Sequence, residues 1–269
     1  MKQETKQAVV VVTGSSRGIG RELAEMYHQK GFKVFGLSRT ACDASFRQIP
    51  CNVASNKSIV HAFKLIMRRA KRIDLLVNNA GYGISGAVEN VSFTDSQAIT
   101  DVNFLGTCHC IKAALPHLRE SRGKIINVAS AAGLLPIPFQ AFYSATKSAV
   151  YTFSLALANE VAPFGVQVCC VLPGDVNTTF TANRKKGEAE GVYADIVKRS
   201  VAVMELDEQF GMSAQYVAQK IYAISQRRRL PLAKIIGPKY QLLYGLSCLF
   251  PARVVNAVTR RMYCCNVLI

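Results

Sequence analysis

Acidic residues are scarce in this chain of 269 residues: 17 Asp and Glu stand against 33 Lys and Arg, a formal net charge of +16. Such an excess suits a ligand that brings negative charge, an anionic substrate or a membrane surface. Half of it falls in the last third, where 14 Lys/Arg face 6 Asp/Glu from Thr181 onward. No nucleic-acid-binding motif accompanies the charge, so no nucleic-acid partner is expected. No Pro/Gly/Ser-rich linker and no repeat divides the sequence, which points to a single domain over residues 1–269. A membrane span is also missing. The charge-free stretch 125–146 is broken by Pro136 and Pro138, and the apolar stretch 240–252 is too short to cross a bilayer. The first seven residues are polar rather than signal-like. Without a signal, nine cysteines read as free thiols in a reducing, cytoplasmic setting. Their spacing forms no metal site, His28, His61, His109 and His117 do not cluster with them, and no metal is expected. A prenylation box is absent as well, the last four residues being Asn-Val-Leu-Ile.

What is present alternates. Strand-like runs at 8–13, 32–38, 73–77, 124–129, 166–172 and 234–236 are separated by helical patterns at 21–30, 57–69, 94–118, 143–161 and 213–228. Strand and helix in alternation, joined by right-handed crossovers, predict an α/β fold: a doubly wound parallel sheet of Rossmann type. Residues 39–49 are too few and too helix-poor for a full crossover helix, so a brief turn or loop is expected there.

Between the first strand and first helix lies Thr13-Gly14-Ser15-Ser16-Arg17-Gly18-Ile19-Gly20. Glycines at 14, 18 and 20 let the backbone approach a pyrophosphate, and a helix N-terminus offers free N–H groups and a positive dipole end. The end of the second strand sets the choice of dinucleotide. Leu37-Ser38-Arg39-Thr40 carries no carboxylate for a ribose 2′-hydroxyl, and none follows until Asp43. Arg39 can fork onto a 2′-phosphate, with Ser38 as a hydroxyl donor and Arg17 aimed at the same place, so NADP(H) is the expected cofactor.

Tyr143 and Lys147 are four residues apart, on one face of a predicted helix. A free phenol has a pKa of about 10, and a neighbouring ammonium favours the phenolate. Ser130 ends the preceding strand, at the edge where such sheets hold ligands, and its hydroxyl is placed to donate to a substrate oxygen while Tyr143 moves the proton.

Over nearly its full length the chain resembles the single-domain short-chain dehydrogenases/reductases. The matching motifs are residues 13–20, Asn78-Asn79-Ala80-Gly81, Asn103, Ser130, Tyr143-x-x-x-Lys147, and Pro173-Gly174 with Thr178. The resemblance implies hydride transfer between nicotinamide and a carbonyl or hydroxyl carbon. In it Tyr143 is general acid/base, Lys147 binds the nicotinamide ribose and lowers the Tyr143 pKa, and Ser130 orients the substrate oxygen. Asn103 holds a water in a relay ending at Lys147. Asn79, Ala80 and Gly81 line the adenosine side, and the segment from Pro173 through Val176 to Thr178 cradles the carboxamide. The family's Asp beside the adenine is replaced here by Cys51-Asn52-Val53, where Asn52 can still donate and accept. Dimers or tetramers through the helices holding Asn103 and Tyr143 are implied too.

On the substrate side the family places a helical lid, here about 176–212, carrying Phe180, Arg184, Lys185, Lys186, Glu188, Glu190 and Tyr193. Apolar residues 134–139 and Phe142 stand next to the catalytic pair, part of them expected to face the pocket. With Gly237-Pro238-Lys239-Tyr240 and a basic, apolar tail at about 240–269, the chain is similar to the hydroxysteroid and lipid-ketone branch. A bulky hydrophobic ketone or secondary alcohol is the substrate this implies. A 3-oxoacyl reductase for carrier- or CoA-bound chains and a non-catalytic NADP(H)-binding protein remain as alternatives. The tail has three readings: an amphipathic helix on a membrane, a gate over the pocket, or a surface for a partner subunit.

Overall fold

A computed structural model describes residues 7–40, 42–187 and 191–265. Glu188 and Glu190 of the expected lid, the first six residues and the last four lie outside the described residues. The framework is β1 (Val9–Thr13), α1 (Gly18–Gln29), β2 (Lys33–Ser38), β3 (Arg47–Pro50), α2 (Asn56–Ala70) and β4 (Leu75–Asn78). It continues with α3 (Phe93–Thr100), α4 (Gly106–Ser121), β5 (Lys124–Val128), α5 (Ala141–Val161) and β6 (Gln167–Pro173). Then come α6 (Ala194–Gln209), α7 (Ala214–Ser225), β7 (Ala233–Ile236), α8 (Pro238–Ser247) and α9 (Ala252–Arg260).

These strands form one seven-stranded sheet in the order β7-β6-β5-β4-β1-β2-β3, every pairing parallel. Four successive valines in β1 are buried because helices cover both faces of a parallel sheet. One core layer sets Val9, Val11, Phe35 and Leu76 against Ile59, Ile66 and Leu118 of α2 and α4. The other sets Val10, Val12, Ile126 and Val171 against Leu23 and Tyr27 of α1 and Val217 and Ile221 of α7. The strand order reverses between β1 and β4, and the carboxyl ends there open the crevice where doubly wound sheets take ligands.

Three elements differ from the expectation. The segment 39–49 lacks a helix, as expected, but β3 begins inside it at Arg47; with Ile49 as its one buried apolar residue, its sequence gives little strand signal. The helical pattern 94–118 is interrupted by a π turn, Asp101–Leu105, between α3 and α4. The tail is not one helix but two, the first opened by Gly237 at φ +110.

Candidate active site

The phosphate turn is shaped by sterics. Gly14 and Gly18 have φ of +67 and +55, where L residues are strained. A Cβ on Gly14 would also come within 2.8 Å of Ala80 Cα, and one on Gly20 within 2.3 Å of the Gly14 carbonyl oxygen. Gly20 lies beneath the turn, where a side chain would clash, and is not among the residues that line the pocket. The turn is held to β4 by hydrogen bonds. The backbone N–H groups of Asn79 and Ala80 both donate to Thr13 Oγ1 at 3.0 Å, and Asn79 Nδ2 donates to the Thr13 and Gly14 carbonyls at 3.2 Å. At the start of α1 no side chain caps the helix and the first turn holds no acid, whereas Ser55 and Ser213 cap α2 and α7. Free N–H groups at a helix N-terminus in a glycine cradle form an anion site, so the residues present fit a dinucleotide.

One pocket runs from this turn to the start of α5. Its nucleotide end is walled by Gly14, Ser16, Arg17, Gly18 and Ile19, with Ser38, Arg39, Asn52 and Val53 across from them. Asn79, Ala80 and Gly81 form the floor, and Pro173, Gly174, Val176 and Thr178 the opposite rim. Arg17 and Arg39 are exposed. Arg17 Nη1 donates to Asn183 Oδ1 at 2.8 Å, tying the phosphate turn to the lid. The Ser38 hydroxyl donates to the Thr40 carbonyl at 2.7 Å, so its proton is committed locally instead of being free for a phosphate. Asn52 Oδ1 accepts from the Ala54 N–H at 3.1 Å, which leaves its amide nitrogen as donor.

At the far end Tyr143, Lys147 and Ser130 converge. Tyr143 sits in the first turn of α5, and Lys147 one turn later brings its Nζ 5.8 Å from the Tyr143 ring centre while donating to the Val128 carbonyl at 2.9 Å. Ser130 Oγ accepts from the Ala132 N–H at 3.1 Å and is hydrogen-bonded to the Tyr143 phenol, so the two hydroxyls share one corner of the pocket. Asn103, on the π turn, lies behind the pocket wall. Its Nδ2 donates to the Tyr82 carbonyl (3.0 Å) and to Thr146 Oγ1 (3.2 Å), and its Oδ1 accepts from the Tyr82 N–H (3.0 Å). The amide thus braces α5 against the strand end after β4, and only the second lone pair of Oδ1 is left for the water-holding role. Gly81 keeps space between it and Lys147: a Cβ there would stand 3.0 Å from Asn103 Oδ1 and 3.5 Å from Lys147 Nζ.

The electrostatics depart from the simple ammonium–phenol picture. Burial pushes the Tyr143 phenol up to about 12; Ser130 works against the rise, while Glu208 and Asp175 add to it. Burial likewise pulls the Lys147 ammonium down to about 8. Here burial, not the lysine, governs the tyrosine.

The segment expected to form a lid is pinned by charge. Arg184, almost wholly buried, pairs with Glu208, Lys185 with Asp95, and Lys186 with Glu205 at 2.7 Å. Lys185–Lys186 forms a short parallel ladder with Ile84–Ser85. Phe180 tilts over Tyr143 with ring centres 5.7 Å apart. Of the apolar residues 134–139 and Phe142, only Ile137 lines the pocket. Leu134 packs under α5 beside Val150, and Phe142 joins Ile84 and Ile99 in a small core.

Several pocket residues carry no motif: Tyr82, Gln140, Met204, Glu208 and Tyr263. Asp175 was within reach, being flanked by Gly174 and Val176. Its carboxyl is pushed up to about 7, first by burial and then by the nearby Asp207 charge, and its Oδ2 has no hydrogen-bond partner among the described residues. The Tyr240 ring of α8 packs against Gly174, where a Cβ would come within 1.8 Å of it.

Comparison with known proteins agrees with this architecture. The family profile described as short chain dehydrogenase matches residues 8–189. A 3-ketodihydrosphingosine reductase of Bacteroides thetaiotaomicron is 38% identical over 245 residues, 89% of this chain and 91% of that one. Among solved structures, a short-chain dehydrogenase from Streptomyces avermitilis superposes with a TM-score of 0.82 at 27% identity, covering 97% of both chains. The aldohexose dehydrogenase of Thermoplasma acidophilum gives 0.75 at 26% identity, covering 91% of this chain and 96% of that one. The fold, the glycine turn and these likenesses together place the chain in the short-chain dehydrogenase/reductase family, as an oxidoreductase that works with a nicotinamide cofactor.

Proposed function

We propose that the protein reduces a ketone on a hydrophobic, lipid-like substrate to a secondary alcohol, with NADP(H) as its cofactor. The observation that carries this reading is the single pocket that joins the anion-binding turn at one end to Tyr143, Ser130 and Lys147 at the other. When bound, the cofactor supplies the hydride for the carbonyl carbon. Ser130, with its Oγ already accepting from Ala132, turns its proton to the substrate oxygen. Tyr143 gives that oxygen the proton it needs as the carbonyl π pair moves onto it. A phenol raised to about 12 is protonated at neutral pH, which suits the reducing direction. The Lys147 ammonium, protonated below about 8, offsets the phenolate that remains.

Preference for the 2′-phosphorylated cofactor rests on Arg39 and Arg17 at the adenosine end and on the absence of a carboxylate at the end of β2. Hydrophobic substrate preference rests on Phe180, Ile137, Met204, Tyr82 and Tyr263 around Tyr143. The likeness to a reductase named for 3-ketodihydrosphingosine favours a lipid among hydrophobic ketones. The test is NADPH consumption, followed by its absorbance, with long-chain ketones, steroid ketones and CoA-bound 3-oxoacyl chains, and the same panel with NADH. Turnover on a long-chain ketone with NADPH well above NADH is expected. Turnover confined to 3-oxoacyl thioesters would replace the substrate reading, and equal use of NADH would remove the role given to Arg39.

A further inference from the structure

We propose that α8 and α9 form a docking face for an anionic lipid surface. Helices α1 to α7 each bury at least one residue against the sheet or a neighbour; α8 and α9 bury none. Tyr240, Leu243, Tyr244 and Val255 are half-buried, while the other large apolar residues are turned outward. Leu242 and Leu246 of α8 are 65% and 44% exposed, Leu249 and Phe250 in the connecting turn 77% and 54%, and Val254 and Val258 of α9 44% and 54%. The exposure is ordered. Leu242, Leu246 and Leu249 recur at helical spacing on one face, and Val254, Val258 and Met262 recur every fourth residue on one face of α9 and the turn that follows. Arg253 and Arg260 fall on the opposite side of α9, so the helix separates an apolar stripe from a cationic one, as helices lying in a membrane interface do.

Charge decides between the occupants such a face could take. From residue 210 to the C-terminus the sequence holds nine Lys/Arg and no Asp or Glu. Lys239 is paired with Asp207, but Arg253, Arg260 and Arg261 meet no acid within α8, α9 and the turn that follows. A second copy of the same face would therefore bring together two surfaces of net positive charge, which is repulsive. An anionic headgroup layer meets that charge with its opposite and receives the leucines, valines and phenylalanine below it. No helix among the described residues is long and apolar enough to cross a membrane, so the contact is peripheral. The turn after α9, Arg261–Cys265, packs on α6 and carries Tyr263 into the pocket wall. The docking face and the substrate pocket are therefore joined within a few residues of chain.

The test is flotation of the full-length protein with vesicles of phosphatidylcholine alone and of phosphatidylcholine with phosphatidylglycerol. The protein is expected to float with the anionic vesicles and not with the neutral ones, and added salt should release it. Two paired variants, Leu246→Asp with Leu249→Asp and Arg253→Glu with Arg260→Glu, should each cut the floated fraction at least several-fold, while NADPH binding and thermal melting stay at the wild-type level. Wild-type protein that stays at the bottom with anionic vesicles would overturn the proposal, as would variants that float like wild type. Light scattering that shows a vesicle-free oligomer, broken to monomers by the leucine pair, would assign the face to a second copy instead. None of the four residues lines the pocket, so loss of flotation is separable from failure of the ketone reading.

Discussion

The two ends of the pocket are built by different means. At the nucleotide end the backbone does the work. Gly14 and Gly20 are fixed by carbonyl and Cα atoms less than 3 Å from where a Cβ would stand, and Thr13 and Asn79 lock the turn to β4. At the substrate end side chains do it: Arg184 on Glu208, Lys186 on Glu205, Phe180 over Tyr143, Tyr263 reaching in from the tail. A ligand shared by many enzymes can be met by one rigid backbone shape, which leaves a fixed motif. A substrate wall of exchangeable side chains on a charged lid leaves none.

The contrast can be broken from either side. The largest effect is expected at the chemical end: Tyr143→Phe should lower kcat/KM about a thousand-fold, the range of a lost proton donor, while NADPH affinity stays near wild type. Gly20→Ala should act on the fold instead. A methyl group would stand 2.3 Å from the Gly14 carbonyl oxygen and 2.4 Å from Asn79 Nδ2, which anchors the turn, and thermal or urea unfolding should show a loss of about 3 kcal/mol together with weakened nucleotide binding. Arg39→Glu should weaken NADPH by roughly 10- to 100-fold, with NADH held at least as well as by wild type, because it replaces a phosphate-binding fork with a ribose-binding carboxylate; titration with both nucleotides reads this directly.

The smallest effect belongs to Asp175. Its folded carboxyl holds a proton up to about pH 7, whereas in the unfolded chain it ionises near its ordinary 3.8. The folded state therefore binds more protons across that window, and this residue's contribution to stability falls as pH rises through it. Asp207 and Glu208 strengthen the effect and Lys239 and Arg184 oppose it. Asp175→Asn should flatten that part of the stability–pH curve by a modest amount, measured as melting temperature against pH.

Legibility in the sequence followed the same division. β1, β2 and β6 announce themselves because strands buried on both faces must be apolar throughout, and α5 because Tyr143 and Lys147 share its face. β3 did not, since Arg47, Gln48 and Pro50 surround one buried isoleucine. The π turn at Asn103 is invisible to a period of 3.6, because it depends on what Asn103 bonds across the chain. Neighbourhood to Tyr143 in sequence does not say which of residues 134–139 and Phe142 face the pocket; tertiary packing puts Leu134 and Phe142 in the core. Glu208 and Tyr263 reach the pocket from elements far along the chain, and no local pattern marks them.

The most direct single measurement is isotope transfer from NADPH carrying deuterium at the transferable position of the nicotinamide, with a long-chain ketone as acceptor and mass spectrometry of the alcohol. The expected result is one deuterium on the carbinol carbon with wild-type protein, and labelled alcohol formed about a thousand-fold more slowly by Tyr143→Phe under conditions where the variant still binds NADPH. Alcohol formed without the label, or labelled alcohol formed at an undiminished rate by the variant, would contradict a hydride delivered to a carbonyl whose oxygen takes its proton from Tyr143.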